Sequence, residues 1–135
     1  MQKTFVIIKP DAIQRGLIGK IISRFENIEF SIVKIEMKQM DEIWYNRMYC
    51  HLSRIPYEQN EKFMLSAPII GIVIKGVRAI DRTRRMIGNT VSALANPGTI
   101  RGDYGMCPTR FNCIHASDSE VAVNKEIALF FGENY

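Results

Sequence analysis

The feature that most constrains this chain is the order in which two apolar periodicities alternate along it. Short β-branched runs are separated by stretches whose apolar residues fall at three- and four-residue steps, a strand–helix alternation. Thr4 to Ile8 reads as a strand, and Pro10 ends it because proline cannot donate to a ladder. Gly16 and Gly19 punctuate the next stretch, and Lys20 to Asn27 then reads as an amphipathic helix carrying Ile21, Ile22 and Phe25. Phe30 to Met37 alternates as a half-buried strand with a slip at Val33. Asp41 is placed to cap a helix carrying Trp44, Met48 and Leu52. Pro56 breaks that helix and starts another, Tyr57 to Leu65. Ile69 to Ile74 is a strongly apolar strand closed by Gly76, and a basic helix runs from Ala79 to Ile87. No period is visible from Gly88 to about Arg110. A short strand, Asn112 to Ala116, precedes Ser117-Asp118-Ser119-Glu120, a capping-box pattern with Ser117 as the cap. The last helix carries Val123, Ile127, Phe130 and Phe131, and Gly132 can end it. Four strands with interleaved helices predict an α/β (α+β) fold, a ferredoxin-like βαββαβ sandwich around a four-stranded antiparallel sheet.

Composition narrows the setting. A chain of 135 residues fits one domain, 1–135, and 47% hydrophobic with 24% charged residues excludes a disordered chain, a coiled coil and a collagen-like fibre. The formal charge of +4 points to an anionic partner without choosing among phosphates, nucleic acid and a membrane surface. Cys50, Cys107 and Cys113 form neither a disulfide framework nor a paired zinc motif, and with only His51 and His115 a multi-histidine metal site is not expected. The apolar start ends at Lys9, too short for a signal sequence, and no run approaches the ~20 apolar residues of a membrane span. The expectation is a cytoplasmic protein in a reducing compartment.

More than 20 structureless residues in so small a domain point to a functional loop. Arg78, Arg82, Arg84 and Arg85 cluster before it, Arg101 lies inside it, and Thr90, Thr99 and Gly102 add small donors and room for close approach. Guanidinium forks and exposed amides are what a polyphosphate requires, while a solvated basic helix beside a plain loop would leave the same pattern. His115 sits in a short apolar strand before a helix. A neutral imidazole is a nucleophile at pH 7 when a carboxylate orients one nitrogen, and Glu126, about two turns into that helix, can fold back to do so. A histidine satisfied within the core is the alternative. Lys9, ending the first strand at a proline-forced turn, points either at an anion or into water. His51, on the polar side of its helix near Ser53 and Arg54, reads as a surface residue.

From Asn112 to Ser119 the chain strongly resembles the nucleoside diphosphate kinase family, whose signature is Asn-x-x-His-[Gly/Ala]-Ser-Asp. Lys9-Pro10-Asp11 and Gln14-Arg15-Gly16-Leu17 match the family's start, and Ser66-Ala67-Pro68 matches the entry to its third strand. Arg84-x-x-x-Gly88-x-Thr90 and Pro97 to Asp103 match its phosphate loop. The matches run in order from about residue 3 to 131. The resemblance implies transfer of the γ-phosphate of a nucleoside triphosphate, typically ATP, to a nucleoside diphosphate. The route would be ping-pong, through a phosphohistidine at His115. Nδ1 would attack, and Glu126 would accept a hydrogen bond from the other nitrogen, directly or through Ser117. Lys9 and Tyr49 would lie at the transferring phosphate. Arg84, Thr90 and Arg101 would hold the phosphate tail, Asn112 the ribose, and Tyr57 would stack on the base. Mg²⁺ would ride on the phosphates, with no protein ligands. A homo-oligomer, hexamer or tetramer, built on dimers is implied as well. The family's loop usually begins Asn-Pro, where this chain has Val91-Ser92, and Phe111 stands as an extra residue between Arg110 and Asn112.

Two other classes share this fold. A nucleic-acid-binding module would need stacking aromatics on its central strands, but Ile69 to Ile74 is purely aliphatic and Phe5 is the only aromatic of the first strand, so nucleic acid is not expected as the main partner. A scaffolding relative without activity would have lost Lys9, His115 or the arginines, and none is lost.

Overall fold

The computed structural model describes residues 1–132; the last three residues of the expected 1–135 domain lie outside the described residues. Strand β1 (Gln2–Ile8) leads through two helices, α1 (Pro10–Gln14) and α2 (Ile18–Glu26), to β2 (Ser31–Lys38). Helices α3 (Glu42–Tyr49) and α4 (Arg54–Met64) then connect to β3 (Ile69–Gly76), which leads into α5 (Ala79–Ile87). The long connection, containing α6 (Ile100–Tyr104), reaches β4 (Ile114–Ala116), and α7 (Glu120–Phe131) closes the chain. The strands form one sheet in the order β2-β3-β1-β4, every neighbouring pair antiparallel. This is the ferredoxin-like arrangement expected from the sequence.

Alternation along β1 distributes its side chains to two faces. Val6 and Ile8 join Ile70, Ile72 and Ile74 of β3 against Ile21 and Phe25 of α2 and Ile87 of α5. Phe5 and Ile7 join Val73 on the other face, against Trp44 and Met48 of α3 and Val123, Ile127 and Phe130 of α7. Gly71 lets α7 approach: a Cβ there would stand 2.5 Å from the Phe130 ring.

Several local expectations change. The turn expected at Pro10 is a short helix, since proline at N1 loses no bond a helix needs. The slip at Val33 is a register shift between Ile32 and Lys34, a β-bulge. β2 lies at the sheet edge, so Val33, Ile35 and Met37 are exposed rather than half-buried. Asp41 does cap α3, accepting from the Trp44 N–H at 2.9 Å. Ser117 does not cap α7. Its N–H continues the sheet by donating to Phe5 O at 3.0 Å, so the chain is still extended there, and Ser119 caps instead, accepting from Ala122 N–H at 3.1 Å.

The long connection is ordered by short elements and side-chain bonds. It contains 3-10 turns at Ser92–Leu94 and Thr109–Phe111 besides α6. Thr99 caps α6 through Gly102 N–H, at 3.0 Å, and bonds Asn96 O at 2.7 Å. A Cβ on Gly102 would meet Asn96 O at 2.0 Å, so this fold of the loop requires glycine there. Asp103 accepts from Gly98 N–H at 2.9 Å and pairs with Arg24 of α2 at 2.7 Å, tying the loop to the body of the domain.

Candidate active site

The second face of the sheet is apolar until its last step. Phe5 and Ile7 point into the core between β1 and helices α3 and α7, and Lys9, two residues further, continues their side of the chain. His115 lies opposite Ile7 in the antiparallel pair of β1 with β4, and so shares that face. Glu126 is buried on the inner side of α7, one turn from Val123 and beside Ile127. Its Oε1 contacts His115 Nε2 and accepts from the Ser117 hydroxyl at 3.2 Å. The imidazole is therefore held at one nitrogen, and Nδ1 has no hydrogen-bond partner among the described residues.

His115 opens onto a cleft of about 430 Å³ whose lining includes Lys9, Tyr49, Arg84, Thr90, Arg101 and Asn112. These side chains come from the residue joining β1 to α1, from α3, α5, the long connection, α6 and the turn before β4. Lys9 Nζ donates to Asn112 Oδ1 at 2.8 Å, and Asn112 Nδ2 donates to Thr90 O at 2.9 Å. Arg101 is buried and bridges Gly88 O at 3.0 Å and Ile114 O at 2.7 Å, while its Nε is buried without a partner. Arg84 is exposed and donates to Ala116 O at 3.2 Å. Tyr49 stacks on Tyr45 with centroids 4.9 Å apart.

Burial shapes the charges. Desolvation pushes the Lys9 ammonium down to about 8; the Arg101 charge pushes the same way, and the Asp11 and Cys113 fields resist. Desolvation, then the Arg84 charge, lowers Arg101 to about 10, which leaves it cationic at neutral pH. Tyr49 is raised by burial first and then by Glu126, so its phenol keeps its proton. Cations crowded at one end of a sheet repel one another, and an anion relieves that repulsion. The cleft lining carries no carboxylate, and among the described residues no group of three or more His, Cys, Asp or Glu side chains can hold a metal ion. This donor set suits phosphate oxygens.

Of the residues singled out from the sequence, Lys9, Tyr49, Arg84, Thr90, Arg101, Asn112 and His115 line the cleft, with Ser117 and Glu126 behind the histidine. Tyr57 is the exception. Its ring packs on Tyr45 at 4.9 Å and its hydroxyl accepts from Asn46 at 3.1 Å, so it faces α3, and the cleft wall beside it is Leu52, Pro56 and Asn60. Its neighbour Pro56 lines the cleft instead, because in a helix side chains one residue apart point to different sides. The opposite wall, Pro108 to Arg110, lies in the aperiodic segment, where the sequence carries no signal for it. His51 is exposed, as a surface residue should be, but it also lines the cleft.

The fold and the cleft define a class: a phosphate-handling enzyme on a ferredoxin-like sheet, with a carboxylate-held histidine among cations. The match to the nucleoside diphosphate kinase family spans residues 2–135. A nucleoside diphosphate kinase of Methanococcus maripaludis is 47% identical over 136 residues, covering 98% of this chain and 99% of that protein. One from Methanocaldococcus jannaschii is 47% identical over 98% of this chain and 95% of its own length. Among solved structures, a halophilic nucleoside diphosphate kinase from Halobacterium salinarum in complex with CDP is similar with a TM-score of 0.93 and 38% identity, over 98% of this chain and 89% of that one. The chain belongs to the nucleoside diphosphate kinase family. It is an enzyme that transfers phosphate between nucleotides. No helix among the described residues is long and apolar enough to cross a membrane.

Proposed function

We propose that this chain moves the γ-phosphate of a nucleoside triphosphate to a nucleoside diphosphate in two half-reactions, through a phosphohistidine on His115. The observation that carries this reading is the asymmetry of the imidazole. Nε2 is held by Glu126, while Nδ1 is left without a partner beside a cleft lined by Lys9, Arg84 and Arg101. The Nδ1 lone pair forms a bond to the γ-phosphorus as the bond to the bridging oxygen breaks, and the nucleoside diphosphate leaves with that electron pair. The Nε2 proton stays shared with Glu126, which disperses the positive charge that develops on the ring. In the second half, a terminal oxygen of the acceptor diphosphate attacks the same phosphorus and the imidazole lone pair is restored. A side-chain nucleophile lets one cleft serve donor and acceptor in turn.

Lys9 contacts the transferring phosphate, and Tyr49, still protonated, donates beside it. Arg84, Thr90 and Arg101 hold the rest of the phosphate tail. Phosphoryl transfer needs mainly positioning and charge stabilisation, which these residues supply. Asn112, fixed between Lys9 and Thr90, meets the ribose. The base lies between Leu52 and Pro56 on one side and Pro108 to Arg110 on the other, contacts that discriminate little among bases. Mg²⁺ would be held by the nucleotide's phosphate oxygens and would neutralise part of their charge, consistent with a lining free of carboxylates.

The exposed stripe of Val33, Ile35 and Met37 on edge strand β2 supports a homo-oligomer built on a dimer, since an apolar edge is a surface that proteins cover. Three free cysteines, two of them exposed, suit a reducing cytoplasm.

The experiment that tests the mechanism is incubation with γ-labelled ATP and Mg²⁺ without acceptor. The label becomes acid-labile and base-stable on His115 and moves to any added diphosphate. An unlabelled wild type, or an undiminished label on His115→Ala, overturns the reading.

A further inference from the structure

Asp11 is buried at the start of α1, outside the set of side chains that line the cleft. Its Oδ2 accepts from the Cys113 N–H at 3.1 Å, and its Oδ1 is buried without a hydrogen-bond partner. Cys113 is itself unusual, a non-glycine residue in the left-handed region at φ +73°. Both of its backbone groups are gripped by the first turn of the chain: the carbonyl accepts from Lys9 N–H at 2.9 Å, and the amide is held by Asp11. This residue separates Asn112, which binds Lys9 Nζ, from Ile114 and His115. The left-handed turn thus decides where Asn112 and the histidine strand lie relative to one another.

We propose that Asp11 is a positioning residue for this site: its buried carboxylate pins the left-handed Cys113 turn and is the counter-charge to Lys9, two residues before it in the chain. This rests on the phosphoryl-transfer reading for its purpose, but not for its measurement. The charged and titratable groups facing Lys9 are Asp11 from α1, Arg101 from α6 and Cys113 from the turn; Asn112 and the Phe63 ring of α4, 5.8 Å away, complete its surroundings. Asp11 is the carboxylate among them. Burial and Arg101 favour the neutral amine, and the half-satisfied carboxylate opposes them.

Asp11→Asn separates the two roles, because an amide oxygen still accepts from Cys113 N–H while the charge is gone. ADP binding measured by calorimetry across pH, beside the pH profile of kcat/KM, tests the charge. The alkaline fall in ADP affinity moves to lower pH in Asp11→Asn, so affinity at pH 8 drops several-fold while affinity at pH 6 changes little. An unmoved profile overturns the proposal. Should Asp11→Asn fold poorly, the same measurement on Asp11→Asn in a Cys113→Gly background, where glycine takes the left-handed turn without strain, gives the same shift or overturns it. ADP binding does not require phosphorylation of His115. A wild type that forms no phosphohistidine sinks the mechanism and leaves this result standing, and an unshifted profile in a chain that does form one sinks only the role of Asp11.

Discussion

The two faces of the sheet are built from the same strands and end differently. Under α2 and α5, Val6, Ile8, Ile70, Ile72 and Ile74 form a continuous apolar layer. Under α3 and α7, Phe5 and Ile7 begin a similar layer, but Lys9, His115 and Glu126 lie directly beyond them. Burial on the first face serves stability alone. On the second, part of the burial keeps water and extra partners away from a lysine, a histidine and a carboxylate. A charged group that is buried costs stability unless it is paired; Glu126 is paired with His115, and under the proposed function a substrate phosphate would pair with Lys9. Chemistry in such a fold therefore sits at the end of a core, where strand alternation still fixes direction but packing no longer fills the space.

Truncating one residue on each face separates the two most directly. His115→Ala should reduce transfer to background while unfolding free energy moves by less than about 1 kcal/mol, because the side chain is part-exposed. Loss of activity accompanied by a collapse of the denaturation midpoint would mean that the histidine is structural. Ile72→Ala, on the first face, should cost about 2–5 kcal/mol in chemical denaturation and leave kcat per folded molecule unchanged. A large fall in kcat at unchanged stability would show that the two faces are not separable.

Substitution of Lys9 should move stability and activity in opposite directions. Lys9→Met should lower kcat/KM by the loss of one hydrogen bond to a charged group, about 1.5–3 kcal/mol. It should also make the free protein more stable at pH 7. The Lys9 ammonium titrates near 8 when folded against 10.5 as the ordinary value, so between those values the unfolded chain binds more protons. Wild-type stability therefore rises with pH through that window, and below about 8 the full cost of burying the cation is present. The methionine variant has neither the cost nor the pH dependence. Parallel denaturation series at pH 7 and pH 10 check this, and equal stability of wild type and variant at pH 7 would contradict it. If Lys9 acts as proposed, wild-type kcat/KM should also fall as pH rises through about 8, since that ratio reports groups of the free enzyme.

Long elements with a clear period are legible in the sequence; short ones and directions within the site are not. The basic helix Ala79–Ile87 falls where its periodicity puts it, because 9 residues are enough to show one face. α1 and α6, with 5 residues each, are too short for a period and are set instead by proline at N1 and by the Thr99 cap. The edge position of β2 is invisible, since alternation reports that a strand has two faces but not whether a helix covers either of them. In the site, motif spacing locates Lys9, Arg84, Arg101, Asn112 and His115, but it cannot orient Tyr57 or assign a role to Asp11. Tyr57 is turned by packing against Tyr45, and Asp11 matters through a backbone amide 102 residues away in the chain. Ser117 fits the capping pattern, yet the β1 ladder claims its N–H before a helix can start. Local grammar loses to a tertiary hydrogen bond there.

The smallest effect concerns whether the second face depends on its supporting helix. Asp41 accepts from Trp44 N–H and fixes the start of α3, the helix whose last residue is Tyr49. Asp41→Ala should cost about 1 kcal/mol of stability, the ordinary loss of an N-cap. Asp41→Asn should recover most of it, because an amide oxygen accepts the same bond. The cap lies at the far end of α3 from Tyr49, and the stacked Tyr45 ring and the buried Trp44 and Met48 anchor the helix between them. Transfer kinetics should therefore be unchanged in both variants. A fall in kcat for Asp41→Ala that Asp41→Asn rescues would show that α3 moves as a unit, and that the second face is held from its supporting helix as much as from the sheet.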